Sequence, residues 1–188
     1  RTLLKAGFVV FAYLLTGNYV ISAFGMILMV FMTDFGKISL STDNVRWSKK
    51  PETWNVKGLA KIAVALGLLM IPEALGLLFI GMKAFHLEAD LGALQTFSFE
   101  TLFYFAIFSL FAVRERGRFW HSRPSRMLTG VLAAEGVLTG VAATVGLPGL
   151  SPLPIWQTLC VIAYSFAFSL VVNDWVKHAL VKRHGFAW

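Results

Sequence analysis

The sequence predicts an all-α polytopic membrane protein, a bundle of six transmembrane helices with both termini in the cytoplasm. Of the 188 residues, 57% are hydrophobic and 14% are charged, and the mean hydropathy is +0.69. This balance is too apolar for a soluble globular domain. Since a span needs about 20 mostly apolar residues, six spans are predicted at residues 2–15, 19–40, 58–85, 95–113, 127–147 and 155–176. The short connections leave no cytoplasmic catalytic domain, so residues 1–188 are predicted to form a single transmembrane domain.

The basic residues indicate both the class of partner and the orientation. A net charge of +7 is compatible with nucleic-acid binding, but the positive charges lie in alternate loops. They cluster at span one and after spans two, four and six: Arg1 and Lys5; Arg46, Lys49, Lys50, Lys57 and Lys61; Arg114, Arg116, Arg118, Arg123 and Arg126; Lys177, Lys182 and Arg183. Because cytoplasmic loops carry an excess of Lys and Arg, this alternation predicts a multi-pass protein whose partner is the lipid bilayer and not nucleic acid.

Span two carries the most informative residue, Asp34. Span one is short, and the turn residues Thr16-Gly17-Asn18 join it to span two. Asp34 lies roughly 22 Å along span two, about two-thirds of the way to the cytoplasmic face. An ionised Asp inside a membrane costs about 2.5–3.5 kcal/mol on insertion scales, so Asp34 is predicted to bind an ion.

The residues next to Asp34 support an ion site. Thr33 and Gly36 flank it, and a glycine permits local unwinding that turns backbone carbonyls toward an ion. Lys37 follows three residues later and shares the face of Asp34. It either neutralises Asp34 or extends to the cytoplasmic surface. Residues 41–57 then have the tryptophan and basic content of an interfacial loop.

Spans three and four each contain a glutamate. Span three is interrupted by Pro72 and Glu73, which predict a kink and a carboxylate near mid-membrane. Glu73 is either a second candidate for the ion path or a protonated core residue beside the carbonyl that Pro72 frees. Span four is rich in phenylalanine, a pattern of lipid-facing or core helices. Its Glu100, near the outer end, is either an ion-path group or a residue that reaches the outer interface, and we expect the interface.

Span five has a small-residue pattern and a third glutamate. Gly136 and Gly140 have GxxxG spacing, which favours close helix packing. Glu135 is expected to face the protein interior and is the third candidate for the ion path. Span six ends near the cytoplasmic interface with Asp174 and Lys177, three residues apart.

Because motifs for soluble catalysis are missing, ion transport is the function that the sequence favours. The sequence has no phosphate-binding glycine loop, HExxH or GxSxG, and with one cysteine and a lone His121 in its loop we expect no metal site of Cys and His ligands. A hard divalent cation takes six to eight oxygens, including several carboxylates. The inner half supplies mainly Asp34, which favours a proton as the ion.

Two segments resemble the P-type cation-transporting ATPases, in the plasma-membrane proton-pump branch. MTDFGKISLSTDNVRWSKKPETWNV is similar to that family's sixth helix and the loop after it, and the matching residues are Asp34, Asp43, Asn44, Ser48, Pro51 and Trp54. RERGRFWHSRPSRMLTG resembles the segment between its eighth and ninth helices, through Arg114, Phe119, Trp120, Ser122, Pro124 and Ser125. The TDGxPA motif of the calcium-pump branch is absent, whereas the magnesium branch shares the K-P-x-x-W loop.

The resemblance implies roles for particular residues and for other parts of a larger pump. The chain corresponds to helices five to ten, the C-terminal membrane half, of a multi-pass plasma-membrane (cytoplasmic-membrane) pump. Asp34 stands where the family has its proton acceptor, and Lys5 stands where it has an arginine counter-ion; unlike arginine, lysine can lose its proton when buried. The expected partners are the remaining N-terminal helices and the cytoplasmic domains. ATP and Mg²⁺ are expected as cofactors of the full-length pump, and we expect no ATPase activity from this chain alone.

Other hypotheses stay open on the sequence. The chain is either the ion-translocating part of an ATP-driven pump, a self-contained small membrane protein such as a channel or regulatory subunit, or an inactive truncated pump fragment. The transported ion is a proton, magnesium or another cation. An in-frame DKTGT phosphorylation motif upstream of Arg1 would favour the first hypothesis, and a stop codon shortly before a start would favour the second.

Overall fold

A computed structural model describes residues 1–44, 56–115 and 117–183. In these ranges the regular elements are helical, apart from one isolated bridge between Leu147 and Leu150. The helices are α1 (Thr2–Thr16), α2 (Ala23–Ser39), α3 (Val56–Ala84), α4 (Leu91–Arg114), α5 (Arg126–Val145), α6 (Ile155–Phe166) and α7 (Asn173–Arg183), with 3₁₀ turns at Leu40–Thr42 and Leu87–Ala89 and a π-helical segment at Ala167–Val172. The matching residues Ser48, Pro51 and Trp54 lie outside the described ranges.

Within the described residues, five helices are long and apolar enough to cross a membrane. They are Ala23–Thr42, Val56–Ala84, Leu91–Arg114, Arg126–Val145 and Ile155–Lys182, the last of which runs through α6, the π segment and α7. Helix α1 is apolar but has only 15 residues. At about 1.5 Å per residue it extends roughly 22 Å, less than the ~30 Å of a hydrocarbon core. The predicted all-helical membrane class is confirmed, and the first predicted span is short, as its sequence indicated.

Capping residues set two helix starts that the hydrophobic pattern placed wrongly. Helix α2 begins at Ala23 and not at residue 19, because Ser22 Oγ accepts a hydrogen bond from the backbone N–H of Gly25 at 3.0 Å. Helix α4 begins at Leu91, before the predicted residue 95, since Asp90 Oδ1 accepts from the N–H of Ala93 at 3.0 Å. Helix α3 continues through Pro72 as one helix, and the kink at this position stays a prediction.

The phenylalanine-rich helix α4 forms the centre of the bundle. It packs against α2, α3, α5, α6 and α7, whereas α1 packs mainly on α3. Its most apolar 18-residue stretch is 83% buried, compared with 28–44% for the other candidate spans. Phe97, Phe99, Phe103 and Phe105 are fully buried. The aromatic pattern of span four is therefore a protein core and not a lipid-facing surface.

Asp43 and Arg114 join the loop after α2 to the loop between α4 and α5. Arg114 Nη1 donates to Asp43 Oδ2 at 2.9 Å and to Oδ1 at 3.2 Å. The other guanidinium nitrogen donates to both oxygens of Ser122, and the N–H of Ser125 donates to Asp43 Oδ1 at 2.9 Å. Asn44 adds a hydrogen bond from its amide to the carbonyl of Arg123 at 3.1 Å. The two segments that carry the family resemblance thus meet at the C-terminal end of α2.

Candidate ion-binding site

Asp34 lies on α2 and forms an ion pair with a lysine of the same helix. Lys37 Nζ donates to Asp34 Oδ1 at 2.6 Å, and the side chains are 49% and 52% exposed respectively. The three-residue spacing places both groups on one helical face. Of the two alternatives for Lys37, the structure shows the one in which it pairs with Asp34. This face of α2 is not covered by another described helix.

Lys5 lies on α1 next to the residue that precedes Asp34. Its Nζ is 3.4 Å from Thr33 Oγ1, and Thr33 is buried and donates to the Met29 carbonyl at 2.8 Å. The predicted counter-ion is therefore one residue away from Asp34 along α2. In the conformation shown, Lys37 and not Lys5 contacts the carboxylate.

Glu135 approaches α2 from the opposite side. It is buried on α5, and among the described residues neither carboxylate oxygen has a hydrogen-bond partner of normal geometry. Its Oε2 is 3.1 Å from the position that a Cβ on residue 36 would occupy, so Gly36 allows this close approach. Glu135, Thr33 and Gly36 line a void of about 10 Å³, close to the smallest volume that holds a water molecule. The expectation that Glu135 faces the interior is confirmed.

Glu100 corrects the sequence-based expectation. It was expected to reach the outer interface, but it is completely buried and accepts a hydrogen bond from Thr158 Oγ1 on α6 at 3.1 Å. The expectation was wrong because α4 is covered on nearly every side, so a position near its outer end is not near the outer surface. Its depth along the helix could be read from the sequence, but its lateral environment could not.

Glu73 lies at another interface, between α3 and the last span. Its Oε2 accepts from Asn173 Nδ2 at 2.7 Å, and its backbone carbonyl accepts from the Tyr164 hydroxyl at 3.1 Å. The carboxylate is buried. The partner of its side chain is thus an amide 100 residues away in sequence, and not the carbonyl that Pro72 frees.

Four of the six predicted site residues gather around α2, and two do not. Asp34 and Lys37 share one face of α2. Lys5 contacts Thr33, and Glu135 packs against Gly36. Glu100 and Glu73 have separate partners, Thr158 and Asn173, which sequence reasoning missed. A polar side chain within an apolar span is the signal that could have found both. Within the part of the chain that the structure describes, no three His, Cys, Asp or Glu side chains cluster as metal ligands.

Comparison with known proteins gives consistent family matches. The model of the family "Cation transporting ATPase, C-terminus" matches residues 18–179. A Methanocaldococcus jannaschii protein named as a cation-transporting ATPase is 29% identical over 179 residues, which cover 94% of this chain and 22% of that protein. Plasma membrane ATPase 1 of Schizosaccharomyces pombe is 23% identical over 167 residues, 85% of this chain and 18% of that protein. The chain therefore spans about a fifth of the length of these relatives.

Proposed function

The chain belongs to the family of cation-transporting ATPase C-terminal regions, and we propose that it is the ion-translocating part of an ATP-driven proton pump. In this proposal Asp34 accepts the proton, and Lys37 and Lys5 control its release. Phosphorylation from ATP with Mg²⁺ takes place in cytoplasmic domains that the much longer relatives have room for. A plasma-membrane location is part of the proposal, and the name of the S. pombe relative supports it.

The observation that carries the proposal is the half-exposed Asp34–Lys37 pair on an apolar face. The exposed residues around it on α2 are Phe31, Phe35 and Ile38. In a bilayer this face would place both charges against hydrocarbon, where ionised side chains are costly and almost always face other protein or water. In this proposal, other transmembrane helices of the same pump pack against this face and shield the two charges from lipid. The pair would then lie between the two membrane halves of the pump.

The contacts of Asp34 favour a proton over a divalent cation. A calcium ion would need six to eight oxygens, and magnesium would need near-octahedral coordination. Here the Lys37 ammonium already contacts the carboxylate, and a metal ion would have to displace it. A proton needs only one carboxylate oxygen.

Alternating contact with lysine gives a mechanism for uptake and release. An ammonium group at 2.6 Å stabilises the ionised carboxylate and so favours release of the proton. When the ammonium moves away and the carboxyl is covered by protein, desolvation favours the protonated form and therefore uptake. Lys5 is placed on a different helix, at Thr33. A movement of α1 along α2 could exchange one lysine for the other at Asp34.

A second candidate ion is magnesium or another cation. It is favoured by the buried carboxylate of Glu135, a second carboxylate next to α2. Its two carboxylate oxygens lack partners of normal geometry among the described residues, and Glu135 lines a void together with Thr33 and Arg1. Two carboxylates around α2 would suit a divalent charge better than one.

The proposal is tested with Asp34→Asn in the complete pump. Asparagine keeps the size and can hydrogen-bond, but it cannot exchange a proton, so we expect normal membrane insertion and loss of transport. Transport is measured as ATP-dependent acidification of sealed vesicles, with expression measured in parallel. Glu100→Gln is the matched control, because this glutamate is buried at a different interface, and it should cost much less. Pumping near the parent rate by Asp34→Asn would show the assignment to be wrong, and Mg²⁺ transport lost in both Asp34→Asn and Glu135→Gln would favour the second ion.

A further inference from the structure

A line of buried polar residues follows the last span, away from α2. Ser165, Ser169, Asn173 and Lys177 occur at intervals of four, and their exposed fractions are 0%, 0%, 4% and 4%. Buried polar groups inside a membrane bundle are costly unless they have partners. This polar line is therefore a feature that needs an explanation beyond packing.

The π-helical segment keeps these residues on one face. Four residues of an α-helix turn the chain by roughly 40° more than a full circle. Three such steps would carry Lys177 roughly 120° around the helix from Ser165. A π turn is wider and rotates less per residue, and here the N–H of Asn173 donates to the carbonyl of Phe168, five residues back. The segment Ala167–Val172 thus corrects the drift and aligns the polar line toward α3 and α4, against which it packs.

Glu73 of α3 meets this line at Asn173. The carboxylate Oε2 accepts from Asn173 Nδ2 at 2.7 Å. The other carboxylate oxygen, Glu73 Oε1, and the amide oxygen, Asn173 Oδ1, are both buried without a hydrogen-bond partner among the described residues. The hydroxyls of Ser165 and Ser169 are also buried without a hydrogen-bond partner among the described residues. The two adjoining side chains therefore present two unsatisfied acceptors, which a cation or a proton would satisfy.

The charged groups on the neighbouring helices are engaged elsewhere. Lys177 Nζ donates to Asp174 Oδ1 at 2.6 Å and to the carbonyls of Ala112 and Glu115 at 2.5 and 3.0 Å. On α1, Lys5 contacts Thr33. On α4, which packs against α3, Glu100 bonds Thr158, Tyr104 bonds the Gly136 carbonyl and Arg114 bonds Asp43. On the last span, the Tyr164 hydroxyl donates to the backbone of Glu73, and His178 has a buried Nδ1 without a hydrogen-bond partner among the described residues. In the described parts of the chain, no ion pair balances the Glu73 carboxylate.

We infer that the Glu73–Asn173 pair is a second monovalent-cation site, separate from Asp34, which takes up a proton or a sodium ion. One carboxylate with neutral oxygens nearby suits a single positive charge, whereas a divalent ion requires more carboxylates. The amide of Asn173 fixes one carboxylate oxygen and leaves the other for the ion. Tyr164 reaches the backbone of Glu73 across Gly76, where a Cβ would be 3.1 Å from its hydroxyl. This site goes beyond the proposed proton acceptor and does not depend on it.

Thermal unfolding of the purified protein in lipid nanodiscs tests the site. The midpoint is measured with NaCl exchanged for choline chloride at constant ionic strength, and again over a range of pH without sodium. An ion that binds only the folded state raises the midpoint, here by roughly 3–6 °C for each tenfold increase above its dissociation constant. A sodium-dependent rise identifies sodium, and a rise at lower pH without a sodium effect identifies a proton. Glu73→Gln should remove the sodium dependence, or that part of the pH dependence which Glu73 contributes, whereas Glu100→Gln should retain it.

Infrared spectroscopy gives a second measurement that keeps the carboxyl in place. The C=O band of a protonated carboxyl should gain intensity as the pH falls if the occupant is a proton, or lose intensity when sodium is added. Asn173→Ala removes the hydrogen bond to Oε2 and should shift this band, whereas Ser98→Ala, a buried hydroxyl on α4, should not. The inference is overturned if both measurements show no dependence on sodium or pH, or if Glu73→Gln keeps the full dependence. Because stability and not transport is measured, failure of this site would leave the assignment of Asp34 unaffected.

Discussion

At the scale of single residues, burial separates two ion pairs that the sequence does not distinguish. The Asp43–Arg114 pair has side chains 12% and 2% exposed, respectively, and the guanidinium also bonds Ser122. The Lys83–Glu88 pair has side chains 73% and 45% exposed. Exposed pairs contribute about 0–1 kcal/mol because water and salt screen them. A buried charge that loses its partner costs far more.

We therefore predict unequal effects of removing one carboxylate from each pair. Asp43→Ala should lower the free energy of unfolding by about 3–5 kcal/mol, since it leaves the Arg114 charge buried and the Ser125 N–H without its acceptor. Glu88→Gln should lower it by less than about 1 kcal/mol. Denaturant unfolding in mixed micelles measures both variants. Equal losses would contradict the argument from burial.

At the scale of helices, small residues determine how closely α5 approaches its neighbours. The GxxxG positions on α5 contact a tyrosine of α4: the Tyr104 hydroxyl donates to the Gly136 carbonyl at 2.8 Å and is 3.0 Å from the Cβ position of Gly140. The predicted close packing is therefore present, with a side chain and not a backbone as the partner. On the other side, Gly36 of α2 receives Leu132 and Glu135 of α5.

Alanine substitutions at two glycines should distinguish the effect of close packing on stability from the effect of helix propensity. At Gly36 a Cβ would be 2.9 Å from Leu132 Cδ2 and 3.1 Å from Glu135 Oε2, so in Gly36→Ala these two α5 side chains must shift. Overpacking of this kind costs about 1–3 kcal/mol, and it should also slow transport if the α2 site is correct. At Gly130 nothing lies within 4 Å of the added carbon, so Gly130→Ala should be neutral or stabilise by up to about 1 kcal/mol. Unfolding midpoints and transport rates of the two variants give the comparison, and identical behaviour would exclude close α2–α5 packing.

At the scale of the whole molecule, positive charge and loop contacts concentrate at one end of the bundle. Arg114 at the end of α4 binds the loop after α2, and the Lys177 ammonium of the last span donates to the last carbonyls of α4. Cations are favourable at helix C-termini, where carbonyls lack partners. Among the described residues, Arg118, Arg123 and Arg126 follow α4 at this end, and the positive-inside rule predicts that such a basic loop is cytoplasmic.

The orientation makes a prediction that reporter fusions can check. Helix α4 has 24 residues and extends about 36 Å, enough to place its two ends on opposite sides of a membrane. A reporter fused at Leu91 should therefore be outside and one at Ser122 should be cytoplasmic. Active alkaline phosphatase at Leu91 and active green fluorescent protein at Ser122 are the expected results. An external Ser122 would reverse the proposed orientation and place both termini outside.

The sequence by itself determined the class of the molecule and the spacing of charges along a helix. Composition and span length indicate a helical membrane protein, whereas the position of Asp34 along α2 also depends on the cap at Ser22, which moves the helix start to Ala23. The three-residue spacing sufficed to put Lys37 beside Asp34. These properties are local, because they follow from chain length and helical periodicity within one segment.

Only the tertiary structure decided which neighbour each charged group meets. Glu100 was expected at the interface and is completely buried, because in the described part of the chain five other α-helices pack against α4. Glu73 accepts a hydrogen bond from Asn173, which is 100 residues away in sequence. The π segment that aligns Asn173 contains no glycine or proline from which it could have been predicted. Periodicity specifies the direction of a side chain around its own helix, but the bundle decides which helix stands there. The environment of each carboxylate therefore depends on packing between spans, which the sequence of one span does not specify.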